Sequence, residues 1–337
     1  MDAGLVREEM SSSALPYAVS GLPRLSRPAL QHTIDRAETL SGIGLHSGRP
    51  VSMTLRPAAP GTGILFRRMD LPAGAARDLP ARADRVVCSP LCTTLTNPAG
   101  SQISTIEHLM AAFAALAIDN VIVETDAPEL PILDGSAAPF VAMIDRAGIC
   151  TQAAPRKMLR VLKRVHVEKG PVSATLEPGP GGLSVSFHID FPAEAIGRQS
   201  CHIALGEAGF RRHLAGARTF CMKDDVYAMQ SAGLALGGSL DNAIVVDGAT
   251  VLNREGLRYD EEFVRHKALD AIGDLYMHSL PISGRYTGVR ASHAMNAALL
   301  KALLADPTAY AIETVAPGSG LAETFTASRD EAELVCA

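Results

Sequence analysis

Glu261 to Leu304, EEFVRHKALDAIGDLYMHSLPISGRYTGVRASHAMNAALLKALL, is the stretch from which the rest of the chain can be read. Glu261–Met277 has helical spacing, with Leu269, Ile272 and Tyr276 on one apolar face. Arg285–Val289 is short and β-prone, and Ser292–Leu304 returns to helical spacing. The same helix–strand–helix order occurs earlier. Ser104-Thr105-Ile106-Glu107 puts Ser and Glu at capping-box spacing, and Ile106, Leu109, Met110, Phe113 and Leu116 recur at three- and four-residue intervals. A strand follows at Asn120–Glu124. Beyond the loop through Asp134-Gly135-Ser136, a second helix ends near Gly148. Short β-prone pieces precede each unit: Val51–Leu55 and Gly63–Phe66 before the first, Leu159–Val167, Ser173–Leu176 and Leu183–Ile189 before the second. This order predicts an α+β fold of two similar domains, each a β-sheet layered against α-helices. The halves share little residue identity, so the repeat is architectural. The expected boundaries are a flexible N-terminal lead-in over 1–30, a first domain over 31–150, a linker at 151–157 around Pro155, a second domain over 158–305 with an apolar insertion at 222–246, and a tail over 306–337.

With 337 residues and 47% hydrophobic content, the chain can bury a full core. Its 31 Lys and Arg against 36 Asp and Glu leave a net charge of −5, and no basic run is present to neutralise a phosphate backbone. A nucleic-acid partner is therefore not expected, although a local basic spot could serve one nucleotide. Cys88, Cys92, Cys150, Cys201, Cys221 and Cys336 lack the spacing of a disulfide framework, which fits a reducing compartment. The pair Cys88 and Cys92 has no second cysteine pair or nearby His to complete a structural zinc site. The first 27 residues lack the basic start and apolar run of a signal peptide. No segment is long and apolar enough to span a bilayer. A cytoplasmic protein with at most peripheral membrane contact is the expectation.

Candidate chemistry concentrates in Arg265–Asp274. On a helix, His266, Asp270 and Asp274 stand four residues apart and share one stripe. A His and a carboxylate at i and i+4 can bind one metal ion, and this donor pair suits zinc. The plainer reading is a solvated helix face with an i,i+4 pair. Glu107-His108 can offer a third ligand or can be a capping-box carboxylate beside a first-turn histidine. Ser292-His293 opens the last helix, where Asp274 could raise the pKa of the imidazole, or where the pair only caps the helix. Gly42–Gly48 (GIGLHSG) is a glycine-dense turn around His46 and lacks the ending of a P-loop. Gly237-Gly238 reads as a turn.

Taken together, these segments resemble the zinc-dependent UDP-3-O-acyl-N-acetylglucosamine deacetylases of Gram-negative bacteria, enzymes of lipid A biosynthesis. The resemblance rests on GIGLHSG (42–48), ISTIEHL (103–109), PILDGSAAPF (131–140), ARTF (217–220), LGGS (236–239), AIVVD (243–247), FVRHKALDAIGDL (263–275) and SHAMN (292–296), in family order from about residue 31 to 305. It implies a two-domain α+β architecture with the active site between the domains. It also implies one zinc ion, replaceable by Fe(II), on His108, His266 and Asp270. Glu107 matches the general base, His293 the catalytic histidine, Asp274 its partner and Thr219 a hydroxyl that polarises the substrate. Phe220, Lys267, Gly238 and Ser239 match substrate contacts, and His46 matches a histidine near the substrate's diphosphate. The implied reaction removes the N-acetyl group of an acylated UDP-sugar, releasing acetate, with the insertion 222–246 lining a channel for the acyl chain. Two departures stand out: Cys221 replaces a glycine of many relatives, and Tyr276–Leu280 replaces a glycine-containing turn. Two other readings remain open from sequence: a related zinc deacetylase acting on another N-acetylated sugar, and a non-catalytic binding protein of the same fold.

Overall fold

A computed structural model of the chain describes residues 29–88, 91–316 and 324–329. The expected lead-in falls almost wholly outside them. Six α-helices are described: α1 (Glu107–Ala115), α2 (Ala138–Ala147), α3 (Glu207–His213), α4 (Lys223–Ser231), α5 (Glu262–Leu275) and α6 (His293–Ala305). Among the described residues, no helix is long and apolar enough to cross a membrane.

The architectural repeat is visible in sheet order. In the first half the strands run Glu38–Ile43, Pro50–Pro57, Val121–Thr125, Ile64–Arg68, Asp78–Pro80. In the second, Val165–Lys169, Val172–Glu177, Ile282–Val289, Leu183–Asp190 and Arg198–Ala204 stand in the same relative order. Each central strand is the one held between two helices in sequence: Val121–Thr125 follows α1 and precedes α2, and Ile282–Val289 follows α5 and precedes α6. Each is also parallel to one neighbour, Ile64–Arg68 or Leu183–Asp190. A strand entered through a helix crossover can lie parallel beside an earlier one, whereas hairpin neighbours are antiparallel.

α1 and α5 pack against each other across the halves at glycine distance. A Cβ on Gly273 would overlap the backbone carbonyl of Glu107 and lie 3.1 Å from Ala111 N. Ile106, Leu109, Met110 and Phe113 are fully buried as their spacing predicts, but so are Ala111 and Ala112 on the other face. α1 is thus buried all round, with neither a solvent face nor a single apolar stripe.

Four expectations need correction. Ser104 and Glu107 form no capping box: Thr105 is left-handed at φ 59°, so α1 starts only at Glu107, and Ser104 Oγ accepts a bond from Thr94 Oγ1. The span expected as a linker, 151–157, is mostly strand, because Ile149–Pro155 pairs antiparallel with Leu30–Ile34 and Pro155 sits at the strand end, where a missing N–H is tolerated. Leu159–Val167 is two strands, Lys157–Val161 and Val165–Lys169, separated at 162–164. The tail is not outside the fold: Tyr310–Thr314 pairs with Lys157–Val161, and Phe325–Arg329 pairs with Arg198–Ala204. Both late strands are half-exposed edge pieces, so they lack the continuous apolar run that marks a buried strand.

The departure at Tyr276–Leu280 has a local solution. A 3₁₀ turn covers Tyr276–His278, and Ser279 takes the left-handed position (φ 54°) that glycine ordinarily fills. Its hydroxyl accepts from Ile64 N and donates to Ala81 O, tying this turn to the first half.

Candidate metal centre and active site

α1 delivers Glu107 and His108 on its first turn, and α5 delivers His266, Lys267, Asp270 and Asp274 from successive turns. The α5 stripe is buried, which removes the solvated-face reading: His266, Asp270 and Asp274 are each no more than 3% exposed. One ligand atom each from His108, His266 and Asp270 falls within 4.8 Å of the others. Nε2 of His108 and of His266 lie 3.5 and 3.3 Å from Asp270 Oδ1. His266 Nδ1 sits 3.0 Å from Ala217 O, an arrangement that places the proton on Nδ1 and the lone pair on Nε2, facing the cluster.

The unpaired atoms of the donor set call for a cation. Asp270 Oδ1 is buried and has no hydrogen-bond partner, while Oδ2 accepts from Lys267 Nζ at 2.8 Å. A buried carboxylate oxygen without a good donor is costly, and the His266 Nε2 beside it, with its ring proton on Nδ1, cannot supply one. A cation satisfies all three at once. Burial disfavours charge at Asp270, but His266, Lys267 and His293 together hold its carboxyl well below the usual range. Burial lowers His266 to about 3, so this imidazole is neutral and available as a ligand at neutral pH.

A second hydrogen-bonded group adjoins the first. His293, at the start of α6, holds its Nδ1 2.9 Å from Asp274 Oδ2, and its Nε2 lies 3.8 Å from Asp270 Oδ2. Ser292 makes no side-chain cap, so the capping alternative for this pair fails. Burial alone would lower the His293 pKa, but Asp274 and Asp270, with Glu107 beyond, outweigh it and push it up to about 9. Glu107 is raised by burial against the pull of His293 and His108, and its Oε2 accepts from Thr93 N at 3.0 Å.

Two residues of this network were not singled out in the sequence. Thr93 bonds Glu107 through its N–H and Asp274 through its hydroxyl. Asn296 donates to Asp274 Oδ2 at 2.9 Å and accepts from Tyr286 OH. Asn296 follows His293 by three residues, within one helical turn, and that spacing could have found it. Thr93 lies on a short strand far away in sequence, and nothing local marks it.

Glu107, His108, Thr219, Phe220, His266, Lys267, Asp270 and His293 line one cavity of about 450 Å³, while Asp274 stands behind His293. Phe220 is wedged by Phe191 and Phe263 at ring-centroid distances of 5.4 and 5.0 Å. Thr219 is fixed through its backbone, its N–H on Gly135 O and its carbonyl accepting from Ile244 N. Arg290 and Asp190 also line this cavity and were not foreseen. His46, Gly238 and Ser239 are not in it. They line a second, mainly apolar cavity of about 750 Å³, walled by Met222, Val226, Met229, Leu240 and Val245 and sharing Leu45, Thr219, Phe220 and Lys267 with the first. Cys221 lines it too, and its thiol is pushed up to about 11 by burial. Cys92 is buried, and the Cys88 side chain lies outside the described residues.

Residues 31–305 match the model of the UDP-3-O-acyl N-acetylglycosamine deacetylase family. The chain is 46% identical over 286 residues to the UDP-3-O-acyl-N-acetylglucosamine deacetylase of Phenylobacterium zucineum, covering 85% of this chain and 97% of that one. It is 47% identical to the protein of the same name from Anaeromyxobacter dehalogenans over 85% of this chain and 91% of that one. With the Photobacterium profundum protein, also of that name, identity is 48% over 83% and 92% of the two chains. A match that spans both helix–strand–helix units and every residue of the buried cluster settles the family: this chain belongs to the UDP-3-O-acyl N-acetylglycosamine deacetylases.

Proposed function

We propose that the protein hydrolyses the N-acetyl group of UDP-3-O-acyl-N-acetylglucosamine, giving acetate and UDP-3-O-acyl-glucosamine, the committed step of lipid A biosynthesis, in the cytoplasm. The observation that carries the proposal is the unpartnered Asp270 Oδ1 beside His108 and His266, next to a separately hydrogen-bonded Glu107 and His293. His108, His266 and Asp270 would hold the metal, zinc by the chemistry of the donors, with Fe(II) able to share the set. Bound there, it supplies Lewis acidity, which makes a water easier to deprotonate and polarises the acetamide carbonyl.

The chain's own residues supply the rest. Glu107, its basicity raised by burial, takes a proton from the attacking water. The Thr219 hydroxyl donates to the oxygen on which negative charge develops. As the C–N bond breaks, protonated His293 gives a proton to the amine nitrogen, and Asp274 holds its ring for that transfer. Lys267 and Phe220 contact the sugar. Besides Lys267 and protonated His293, Arg290 is a cation on this cavity wall and a candidate for the diphosphate, the part expected of His46, which lines the second cavity instead. The 3-O-acyl chain occupies the second cavity, whose volume and apolar walls would be wasted on an unacylated sugar and so disfavour the reading as a deacetylase of another N-acetylated sugar. In this reading the site lies between a first domain over 31–150 and a second over 158–305.

The test is acetate release from 3-O-acylated UDP-N-acetylglucosamine before and after chelation, then after zinc is restored. Loss and recovery of turnover are expected. Turnover that survives stoichiometric metal removal would overturn the proposal.

A further inference from the structure

The glycine-dense turn Gly42–Gly48 takes no part in the chemistry above, yet it is held by a buried carboxylate that the reaction does not use. Glu129 is 4% exposed. Its Oε2 accepts from His46 N at 3.0 Å and its Oε1 from Ser47 N at 2.8 Å. The fit admits no side chain at Gly44, where a Cβ would overlap the Glu129 carboxylate. Clasped this way, the turn presents its opposite edge to the insertion: Gly237 N donates to Leu45 O at 2.9 Å and Leu236 N to His46 O at 3.3 Å. The two segments interlock, since a Cβ on Gly237 would overlap Gly44 O and one on Gly48 would lie 3.1 Å from the Leu236 backbone. Leu45 and His46 on one side, and Ala235 and Gly238 on the other, form part of the wall of the apolar cavity.

We propose that Glu129 is a positioning residue for acyl-chain recognition: by fixing the 42–48 turn it sets the wall of the apolar cavity, and so governs selection of the 3-O-acyl group without touching substrate. The inference rests on the assignment of that cavity to the acyl chain. Two charge-assisted bonds from adjacent N–H groups fix the turn as a unit. Losing them frees a wall that a long acyl chain presses on along its length, whereas the catalytic cavity meets this turn only at Leu45. Glu129→Gln keeps one acceptor but turns an amide donor toward the other N–H, which it cannot satisfy.

The experiment measures kcat and KM of the metal-loaded full chain on UDP-N-acetylglucosamine carrying a long or a short 3-O-acyl group. Glu129→Gln should raise KM for the long-chain substrate about tenfold, leave its kcat near wild type, and change the short-chain kcat/KM by less than about threefold. Gly237→Ala, which opens the same contact from the insertion side with Glu129 in place, should reproduce the split if the first variant folds poorly. An equal loss on both substrates, or no loss on either, would overturn the proposal. A wild-type enzyme indifferent to chain length would remove the acyl-cavity reading beneath it, and the inference with it.

Discussion

Asp274→Asn separates the electrostatic role of a buried carboxylate from its geometric one. Asp274 accepts from His293, Asn296 and Thr93, and the asparagine keeps the shape and one acceptor oxygen while losing the charge. Burial pulls the His293 pKa down, and Asp274 is the foremost of the groups that push it up to about 9 from an ordinary 6.5. A raised histidine pKa means the proton-donating form persists below that value and is lost as pH rises through it. At pH 8 a pKa of about 9 leaves roughly nine-tenths of the imidazole protonated, and a fall all the way to the ordinary 6.5, the limit if Asp274 supplied the whole net rise, would leave about three-hundredths. The proton-donating form, and with it kcat/KM, should therefore fall by up to roughly thirtyfold on the alkaline side, and the gap should close as pH falls below the variant's own His293 pKa. A cation on the neighbouring ligands repels the imidazolium in both proteins and moves both alkaline limbs down together, so their separation remains. The assay is kcat/KM from pH 5.5 to 9.5 at matched metal content. If the variant loses activity uniformly with its alkaline limb unmoved, Asp274 orients His293 and does nothing to its charge.

Other perturbations test the remaining parts. Glu107→Gln preserves shape and removes the proton acceptor, so turnover at matched metal occupancy should drop by about two to four orders of magnitude with an unchanged melting temperature; near-normal turnover would require another base. His108→Ala, His266→Ala and Asp270→Ala should each lower bound metal below one equivalent in a chelator competition, because each removes one of only three protein ligands in a four-coordinate site whose fourth position is left to water; a full equivalent at wild-type affinity in all three would remove the ligand assignment. Gly273→Ala would push α1 away from α5, since its Cβ meets the Glu107 backbone and not a flexible side-chain end. A loss of about 1–3 kcal/mol, measured by urea unfolding, is expected, and wild-type stability would show that the helices can separate without cost.

The repeat was legible because each half has its own helix–strand–helix order, written in local spacing of 3.6 and 2 residues. What local spacing could not give was pairing across long sequence separations. The strand at Ile149–Pro155 is largely exposed and ends in proline, so only its partner Leu30–Ile34 makes it a strand. The late strands Tyr310–Thr314 and Phe325–Arg329 are defined in the same way, by open edges more than a hundred residues earlier. The capping box failed for a different reason. The sequence match was sound, but Thr105 is turned left-handed, and Glu107 was drawn away to the Thr93 N–H.

That failure bears on how the site works. A carboxylate at the first turn of a helix would normally satisfy free N–H groups of its own helix, at little cost and with nothing left over for chemistry. Here Glu107 is buried, its carboxylate accepts a hydrogen bond from a separate strand, and Thr93 on that strand also reaches Asp274. One threonine therefore holds the carboxylate that takes a proton in the proposed reaction and the carboxylate behind the histidine that gives one. The two groups are brought into register from three elements, α1, α5 and α6, through a residue on none of them. Local sequence can mark each acid and base, because each sits on a helix with readable spacing. It cannot mark the tie between them, because Thr93 gains that role only once the strand bearing it has packed under both helices.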